Sequence, residues 1–586
     1  MNNIYKYVQG LLLESYTAFL ADENIAPKNK YGEISIELPP KKEFGEISTN
    51  IALLLSKEIN STPMEVGQKL SKYILKHKII DNVKIVKPGF INLWLKKEIW
   101  LNHIVDVIKM DSLFGSSNID KKKKINVEFV SANPTGPVHI GHCRGAVYGD
   151  VLANILKKVG HEVVKEYYIN DTGVQIKNLA NSVLYRYQEF LKVKNIDCPD
   201  GFYPGEYLIP IAKSLMEKHS SGLLKKPKSE ILKIVIKHTV ENIMNNIKVD
   251  LQDLGVEHDN FISEYQLQKS GKVSEAIEVL ERKNLLYEGV LEKPKGGSDI
   301  SEWEPRKQVL FRSSNFGDDT DRPLKKSDGS WTYFASDIAY HLDKYQRGYV
   351  VQINVLGADH GGYVKRMNAA VGAVSGNNAE FVARVCQMVK LFRGGKQVKM
   401  SKRAGEFITI KEILDEVGSD SLRFMMLYRK NDAPLDFDFI KVKEQSKDNP
   451  VFYVQYANAR IESIFRNIKK QIPEYKLDEK KILEANFNLL NHEHELDLVK
   501  KISAWPMVLI NSSKTYEPHR VAYYLYELSS LFHLYWTAGK SKSDLRFIVP
   551  NNLDLMSARL GLVKALSIVI HSGLDILGVS APAEMK

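Results

Sequence analysis

The stretch from residue 125 to residue 171 constrains the fold most, because it alternates between strand and helix patterns. "INVEFV" (125–130) is a short apolar run suited to a buried strand, and "HEVVKEYYIND" (161–171) is a second strand pattern. Between them, "GHCRGAVYGDVLANILKKVG" repeats apolar residues at helical spacing and ends at Gly160. A strand, a helix and another strand in this order are the building unit of a parallel sheet. The sequence therefore predicts an α/β fold around a parallel sheet.

Two histidines, His139 and His142, lie where the first strand has ended and the helix begins, after a loop rich in proline and glycine. Open α/β sheets bind ligands at the carboxyl ends of their strands, where the N–H groups of a helix N-terminus attract anions. Imidazoles there can donate hydrogen bonds to phosphate oxygens, and Gly141 leaves room for a nucleotide against the backbone. We expect the two histidines to grip a triphosphate and to stabilise its transition state.

A second phosphate-binding candidate is the basic segment "KMSK" (399–402), which lies in a loop flanked by Gly394, Gly395 and Gly405. Mobile positive charge that closes on a leaving pyrophosphate is one interpretation, and a plain basic surface loop is the alternative. The H-x-G-H string followed far downstream by K-M-S-K resembles the paired signatures of class I aminoacyl-tRNA synthetases. The resemblance implies that catalysis depends on His139, His142 and Lys402, and that ATP is bound by His139, Gly141, His142, Lys399, Met400, Ser401 and Lys402.

The composition of the chain restricts the classes of binding partner and the cellular compartment that we expect. The 82 lysines and arginines exceed the 71 acidic residues by 11, which indicates either a nucleic-acid partner or a solvated basic surface. The three cysteines form no C-x-x-C pair, which fits a reducing, cytoplasmic setting and disfavours a zinc site. The N-terminus lacks a signal-peptide pattern, and we find no apolar run of transmembrane length, so no membrane association is expected.

Changes in character along the chain predict three domains. Residues 1–115 form a small α+β unit, and residues 116–440 contain the strand–helix–strand pattern and its insertions. From residue 441 to residue 586 glycine is scarce and helical patterns dominate, which predicts an all-α domain.

Carboxylates and an amide flank the histidine loop and suggest a cationic substrate. Glu128 lies on the strand before the loop, and Asn133 lies within the loop. Further on, Tyr333 and Asp337 are four residues apart in "DGSWTYFASDIAYHLDKY". An ionised carboxylate can receive a guanidinium through two parallel hydrogen bonds. The alternative is that Asp337 caps a helix and Tyr333 belongs to the core.

Longer strings narrow the resemblance to the arginyl-tRNA synthetases, and the match covers essentially the whole chain. The strings include "EYYINDTGVQI", "YPGEY", "GADHGGY", "MSKRAGEF", "DNPVFYVQYANARI" and "EPHRVAYYLYEL". The resemblance implies a Rossmann-like catalytic domain with insertions. It also implies an N-terminal add-on domain that touches the elbow of tRNA and a helical C-terminal domain that binds the anticodon.

The same resemblance assigns roles to individual residues. It implies that Glu128 and Asn133 hold the α-amino and backbone side of arginine, and that Tyr333 and Asp337 hold the guanidinium. It places His360 between the amino acid and the adenosine. The candidates for tRNA contact are Tyr456, Ala457 and Arg460, since tyrosine and arginine can stack on unpaired bases. The alternative is that they belong to a packed helix face, which applies more to Tyr456 than to Arg460.

The implied function is arginine–tRNA ligase. Its substrates would be arginine, tRNA(Arg) and ATP with Mg²⁺, without zinc, and the protein would be a monomer. The family also tends to need bound tRNA before it activates arginine. Three alternatives stay open: another nucleotidyltransferase with an H-x-G-H loop, a non-catalytic RNA-binding relative, and a synthetase for a different amino acid.

Overall fold

The computed structural model describes residues 3–26, 34–39, 41–117, 122–291, 306–358, 361–398, 408–475 and 478–585. In these ranges the chain forms an N-terminal α+β unit, a central α/β unit and a C-terminal helical unit. The fold class predicted from the sequence is therefore confirmed.

The N-terminal unit is an antiparallel sheet packed against helices, with the strands in the order β1-β2-β4-β3. Its elements are α1 (Ile4–Asp22), β1 (Ile36–Glu37), β2 (Ile47–Thr49), α2 (Ile51–Ile59), α3 (Pro63–Ile74), β3 (Ile80–Val86), β4 (Phe90–Leu95) and α4 (Lys97–Met110). Helix α4 leads from this sheet into the central unit and packs against the C-terminal helices.

The central unit is built on a five-stranded parallel sheet. Its strands are β5 (Lys124–Glu128), β6 (Glu162–Ile169), β7 (Asn260–Ser263), β8 (Leu286–Gly289), β9 (Gln308–Phe311), β10 (Arg322–Pro323), β11 (Val351–Gly357), β12 (Glu380–Cys386), β13 (Val389–Arg393), β14 (Lys396–Gln397) and β15 (Leu435–Asp438). Its helices are α5 (Ile140–Lys158), α6 (Gly173–Phe190), α7 (Leu208–His219), α8 (Lys228–Asp253), α9 (Glu264–Lys269), α10 (Lys272–Arg282), α11 (Tyr333–Gln346), α12 (Tyr363–Ser375) and α13 (Ile410–Leu427).

The parallel sheet has the order β12-β11-β5-β6-β7. Strands β5 and β11 are buried almost along their whole length. Their sequences, KINVE and VQINVLG, nevertheless alternate apolar with polar residues, so the sheet also buries Asn126, Glu128, Gln352 and Asn354. Helices α6, α7 and α8 form a helical insertion between β6 and β7. Strands β8, β9 and β10 form a separate antiparallel sheet.

The C-terminal unit is helical throughout its described part. Its helices are α14 (Pro450–Gln471), α15 (Glu479–Leu483), α16 (Glu493–Ser503), α17 (Trp505–Thr515), α18 (His519–Ser541) and α19 (Leu553–Leu577). By length and composition α19 could cross a membrane, but 83% of its most apolar window is buried inside the protein. It packs against α4, α5, α14, α16 and α18, so it is the core helix of this unit.

One buried arginine joins the C-terminal unit to the central unit. Arg423, on α13, is fully buried and donates hydrogen bonds to the carbonyl of Leu577 at 2.7 Å and to that of Leu254 at 3.1 Å. It also pairs with the carboxylate of Asp150 on α5. Leu577 and Leu254 lie at the C-terminal ends of α19 and α8, where the helix dipole favours a cation. The guanidinium thus fixes α5, α13 and α19 relative to one another.

Candidate active site

The candidate site begins where β5 ends, at Glu128. The next residues include Val130 at φ +67° and Ser131 at φ +39°, a left-handed conformation that is strained for a β-branched residue. This turn brings the Ser131 hydroxyl back to donate to Glu128 Oε1 at 3.1 Å, while the amide of Tyr168 donates to the same hydroxyl. The strained backbone therefore fixes Oε1 of Glu128 at the carboxyl end of the central strand β5.

The structure brings His139 and His142 together at the start of α5. His139 is the N-cap of the helix and its Nδ1 accepts from the amide of Gly141 at 3.1 Å, while His142 Nδ1 accepts from the amide of His139 at 3.3 Å. The ring centroids are 4.2 Å apart. Because each Nδ1 accepts an N–H, this geometry assigns the proton of each neutral ring to Nε2, which makes Nε2 a donor.

Gly141 is required at its position by the first histidine. A Cβ at Gly141 would lie 2.8 Å from Cε1 of His139, too close for a real contact. From the sequence, we attribute the glycine at position 141 to the need for room beside a nucleotide. In the structure, Gly141 leaves room for the imidazole of His139, which caps the helix.

The basic loop predicted from the sequence, Lys399, Met400, Ser401 and Lys402, lies outside the described residues, as does His360. The chain after the loop lies beside the histidines. Thr409, the N-cap of α13, forms an antiparallel bridge with His139, and the amide of Ile410 donates to the carbonyl of Val138 at 3.2 Å. The start of α13 therefore adjoins the start of α5.

Helix α11 contributes two of the predicted residues, and their alternative interpretations are wrong. Thr332 caps the helix, so Asp337 lies in the second turn and is not a cap. Tyr333 is 48% exposed and therefore is not a core residue. Its hydroxyl approaches Gly173, at the start of α6.

Asp337 is a carboxyl group that burial keeps poorly ionised. Removal from water, together with repulsion by the carboxylates of Glu264 and Glu128, raises the pKa of Asp337 to about 7, although a hydrogen bond from the hydroxyl of Tyr363 opposes the shift. A cation that bound beside Asp337 would favour its ionised form.

Glu264 and Tyr168 are neighbours of Asp337 that the sequence patterns did not single out. Glu264 is 2% exposed and accepts from Gln268 at Oε1. The hydroxyls of Thr172 and Ser336 are also close enough to its carboxylate to lower its pKa, although Oε2 has no hydrogen bond of normal geometry within the described ranges. Burial raises the pKa of Glu264. The hydroxyl of Tyr168 is likewise buried without a described partner, and its pKa is raised by burial and then by Asp337 and Glu264. These orphaned polar atoms indicate a place for a ligand with many donors.

Glu128 ends β5 and lies within electrostatic reach of Asp337, and Asn133 lies in the loop that follows the strand. Glu128 is 8% exposed, and its Oε2 accepts from Lys344 Nζ at 2.7 Å and from Asn354 Nδ2 at 2.9 Å. Asn133 is exposed and donates to Gln175 at 3.3 Å. No group of three or more metal-ligating side chains occurs in the part of the chain that the structure describes.

Family models match all three units. The arginyl tRNA synthetase N terminal domain matches residues 14–95, the catalytic domain of class I (R) tRNA synthetases matches residues 103–435, and the DALR anticodon binding domain matches residues 454–585. The arginine–tRNA ligase of Parvibaculum lavamentivorans is 48% identical over 100% of both chains. The arginine–tRNA ligase of Brucella canis is 49% identical over 97% of this chain and 98% of its own.

The chain belongs to the arginyl-tRNA synthetase family. It is therefore a class I aminoacyl-tRNA ligase, and the family implies arginine, tRNA(Arg) and ATP as its substrates. A Campylobacter jejuni structure described as an arginyl-tRNA synthetase is 29% identical, with a TM-score of 0.71 over 84% of this chain and 100% of its own. The Thermus thermophilus arginyl-tRNA synthetase, 18% identical, shares the fold with a TM-score of 0.75 over 99% of this chain and 100% of its own.

The predicted tRNA-contacting residues of the synthetase lie on α14 and differ in exposure. The guanidinium of Arg460 lies 4.2 Å from the ring centroid of Tyr456 and 5.2 Å from that of Trp536. Its Nη1 donates to His533 Nδ1 at 2.8 Å, and burial lowers the pKa of His533 to about 4, so the ring accepts at neutral pH. Ala457 is fully buried and cannot touch a tRNA in this conformation, which corrects the prediction for that residue.

Proposed function

We propose that this arginine–tRNA ligase binds its amino acid in the pocket between α11 and the carboxyl edge of the central sheet. The observation that carries the proposal is the group of three carboxylates, Asp337, Glu264 and Glu128, within electrostatic reach of one another. Arginine carries two positive groups at neutral pH, and a pocket with several carboxylates compensates both of them.

The guanidinium would lie between Asp337 and Glu264. A guanidinium presents five donors in one plane, and this end of the pocket offers carboxylate oxygens on α9 and α11 together with the hydroxyl of Tyr168. Tyr333, half-exposed at the start of α11, would cover the outer side. Binding would ionise Asp337 fully, because a cation lowers the pKa of a neighbouring carboxyl group.

The α-ammonium would bind Glu128 and Asn133. Glu128 Oε2 already accepts two donors, so Oε1 keeps capacity to accept from the ligand. Asn133, exposed in the loop before the histidines, lies on the side from which ATP would enter. His360 is proposed, from the family resemblance, to line the pocket between the amino acid and the adenosine.

ATP would bind beside the histidines. His139 and His142 would donate from Nε2 to its phosphates, against the N-terminus of α5 and Gly141. The family resemblance adds Lys399, Met400, Ser401 and Lys402. Among the described residues that follow them in the chain, Thr409 forms a bridge with His139. Mg²⁺ would arrive with the phosphates of ATP, and a zinc-free protein remains a prediction.

The reaction is proposed to run in two steps. The arginine carboxylate attacks the α-phosphorus of ATP, the bond to the β-phosphate breaks, and pyrophosphate leaves from arginyl-adenylate. The 2′-hydroxyl of the terminal tRNA ribose then attacks the arginyl carbonyl, and AMP leaves. Positioning and charge stabilisation dominate such phosphoryl chemistry, so His139, His142 and Lys402 would act mainly as cationic or hydrogen-bonding groups.

Each of the three proposed domains would contact a different part of the tRNA. Residues 1–115 would touch the elbow, residues 116–440 would hold the acceptor end, and residues 441–586 would bind the anticodon. Arg460, whose guanidinium lies 4.2 Å from the ring centroid of Tyr456 and 5.2 Å from that of Trp536, supports a cationic and aromatic surface for an unpaired base. We propose a monomeric, cytoplasmic enzyme without membrane contact.

ATP–pyrophosphate exchange with each of the twenty amino acids, with and without total tRNA, tests the proposal. We expect exchange with arginine, and only when tRNA is present. Exchange with arginine alone would retain the pocket and discard the tRNA requirement. Exchange with another amino acid, or with none, would overturn the assignment of the pocket.

A further inference from the structure

Lys344 is a fully buried lysine whose ammonium contacts Glu128, one of the residues of the proposed arginine pocket. Its Nζ lies 2.7 Å from Glu128 Oε2 and 3.3 Å from Asn354 Oδ1, and 4.3 Å from the ring centroid of Tyr340. A buried ammonium is costly unless it is paired and hydrogen-bonded. The partner of this ammonium is the carboxylate of Glu128, which we proposed as a ligand of the substrate α-ammonium.

Helix α11 contains both Lys344 and Asp337. The two residues are seven positions apart, so they share a helix face and lie about 10 Å apart along the axis. A rigid helix therefore connects the carboxylate proposed for the guanidinium with the lysine that holds the carboxylate proposed for the α-ammonium.

The carboxylate of Glu128 has little freedom to turn. Lys344 and Asn354 hold Oε2, and the Ser131 hydroxyl holds Oε1 from a strained backbone. Strands β5 and β11 place Glu128 opposite Asn354 in the sheet, so Asn354 cannot shift without the strand.

Anchoring α11 to the sheet does not require Lys344. One turn later Arg347 forms two hydrogen bonds with Glu166 on β6, at 2.7 and 2.9 Å, and a further bond with Asp343 at 2.8 Å. Two other residues of α11 also bond the sheet: the Tyr340 hydroxyl donates to Glu166 at 2.7 Å, and His341 Nδ1 lies 2.6 Å from Gln352 Oε1. Arg347, Tyr340 and His341 therefore fix the helix without Lys344. Lys344 is also a poor means of attracting a substrate ammonium, because it repels that charge. The remaining role for Lys344 is to hold the carboxylate of Glu128 in place.

We propose that Lys344 is a positioning residue for specificity: by fixing Glu128 relative to Asp337, it sets the length of amino acid that the pocket accepts. The inference rests on the arginine pocket proposed above. An amino acid one methylene longer or shorter would then fail to reach both carboxylates at once.

The test compares arginine with homoarginine and norarginine, which are one methylene longer and shorter. The measurement is the ratio of kcat/KM values in ATP–pyrophosphate exchange with tRNA present, for wild type and Lys344→Met. We expect wild type to prefer arginine by at least tenfold, the order of one methylene. In Lys344→Met that preference should fall by about tenfold, because Glu128 can then follow the ligand.

Arg347→Met is the matched control, since it breaks a buried ion pair on the same helix without touching Glu128. It should lower thermal stability and leave the preference for arginine unchanged. If Lys344→Met fails to fold, Asn354→Leu removes one donor to Glu128 while the ion pair stays, and it should reduce the preference in the same direction.

The outcomes separate the two proposals. An unchanged preference in a folded Lys344→Met protein, or in Asn354→Leu when the first variant does not fold, would overturn the role of Lys344. An equal loss of preference in Arg347→Met would also overturn it. Wild type that does not exchange with arginine at all would instead overturn the pocket itself.

Discussion

The hydroxyl of Tyr207 donates a 2.6 Å hydrogen bond to the backbone carbonyl of Thr135, in the loop that leads to His139. The ring of Tyr207 also lies against Gly136, where a Cβ would be 3.4 Å from Cζ. Tyr207 belongs to the helical insertion that follows β6, and it is the last residue of the "YPGEY" string. The helical insertion therefore contacts and supports the loop that contains Thr135 and Gly136 and leads to His139.

Tyr207→Phe should weaken ATP binding without loss of the fold. The variant keeps the ring and removes the bond to Thr135, so we expect KM for ATP to rise about fivefold, the equivalent of about 1 kcal/mol for one neutral hydrogen bond. KM for arginine should change little. Tyr203→Phe is the control, because Tyr203 is held through its backbone amide by Ser182. Equal effects of both variants would refute a specific role for Tyr207.

Arginine affinity should depend on pH through Asp337. The pKa of Asp337 is raised to about 7, so its carboxylate is mostly protonated at pH 6 and mostly ionised at pH 8. A guanidinium pairs with the ionised form, so KM for arginine should fall roughly tenfold from pH 6 to pH 8, as the ionised fraction rises by that factor. Asp337→Asn should raise KM about tenfold or more and flatten this profile. A pH profile that survives the substitution would exclude Asp337 as its source.

Glu264→Gln should move that pH profile. Glu264 raises the pKa of Asp337 by charge repulsion, so its neutral replacement should shift the inflection in KM for arginine to a pH below 7. KM at pH 8 should rise severalfold, because one carboxylate partner of the guanidinium is lost. Glu275→Gln, on α10, should change neither quantity, because the Glu275 side chain is 41% exposed and pairs with Lys272. An unshifted inflection would place Glu264 outside the pocket.

Local patterns in the sequence were enough to predict some residues of the site and not others. The strands β5 and β6 and the place of His139 and His142 follow from apolar periodicity and from a proline- and glycine-rich loop, which are properties of neighbouring residues. Glu264 directly follows the short strand β7, and a carboxylate at a strand end is a local signal from which it could be predicted.

Other features depend on contacts that no local pattern encodes. Lys344 meets Glu128 across 216 positions of the chain, so its burial follows only from the packing of α11 on the sheet. The same holds for Ala457: the helical periodicity correctly predicted α14, but which side of it faces α18 and α19 is decided by helices that come later in the chain.

Arg460→Ala should weaken tRNA binding selectively. The guanidinium is held between Tyr456 and Trp536, and loss of one stacking contact with a base is worth about 1–3 kcal/mol, so KM for tRNA should rise about tenfold. KM for ATP and for arginine should be unchanged at saturating tRNA. Arg466→Ala is the control on the same helix, since Arg466 bonds the carbonyl of Ala583 near the C-terminus. An equal rise in KM for tRNA in both variants would indicate general electrostatics rather than a stacking site.

Gly578→Ala should loosen the contact between the C-terminal helices and the central unit. Gly578 ends α19 at φ +63°, and a Cβ there would lie 2.4 Å from Nη2 of Arg423, inside the guanidinium that joins α5, α13 and α19. Gly271→Ala is the matched control: Gly271 has φ +81° with open space around it, so it measures backbone strain alone, about 1 kcal/mol. We expect Gly578→Ala to cost about 3 kcal/mol, since the clash adds to the strain. Thermal unfolding should therefore begin at a lower temperature than in Gly271→Ala, and limited proteolysis should release the C-terminal helices first. Equal unfolding temperatures for the two variants would show that Arg423 can move aside and does not fix the contact.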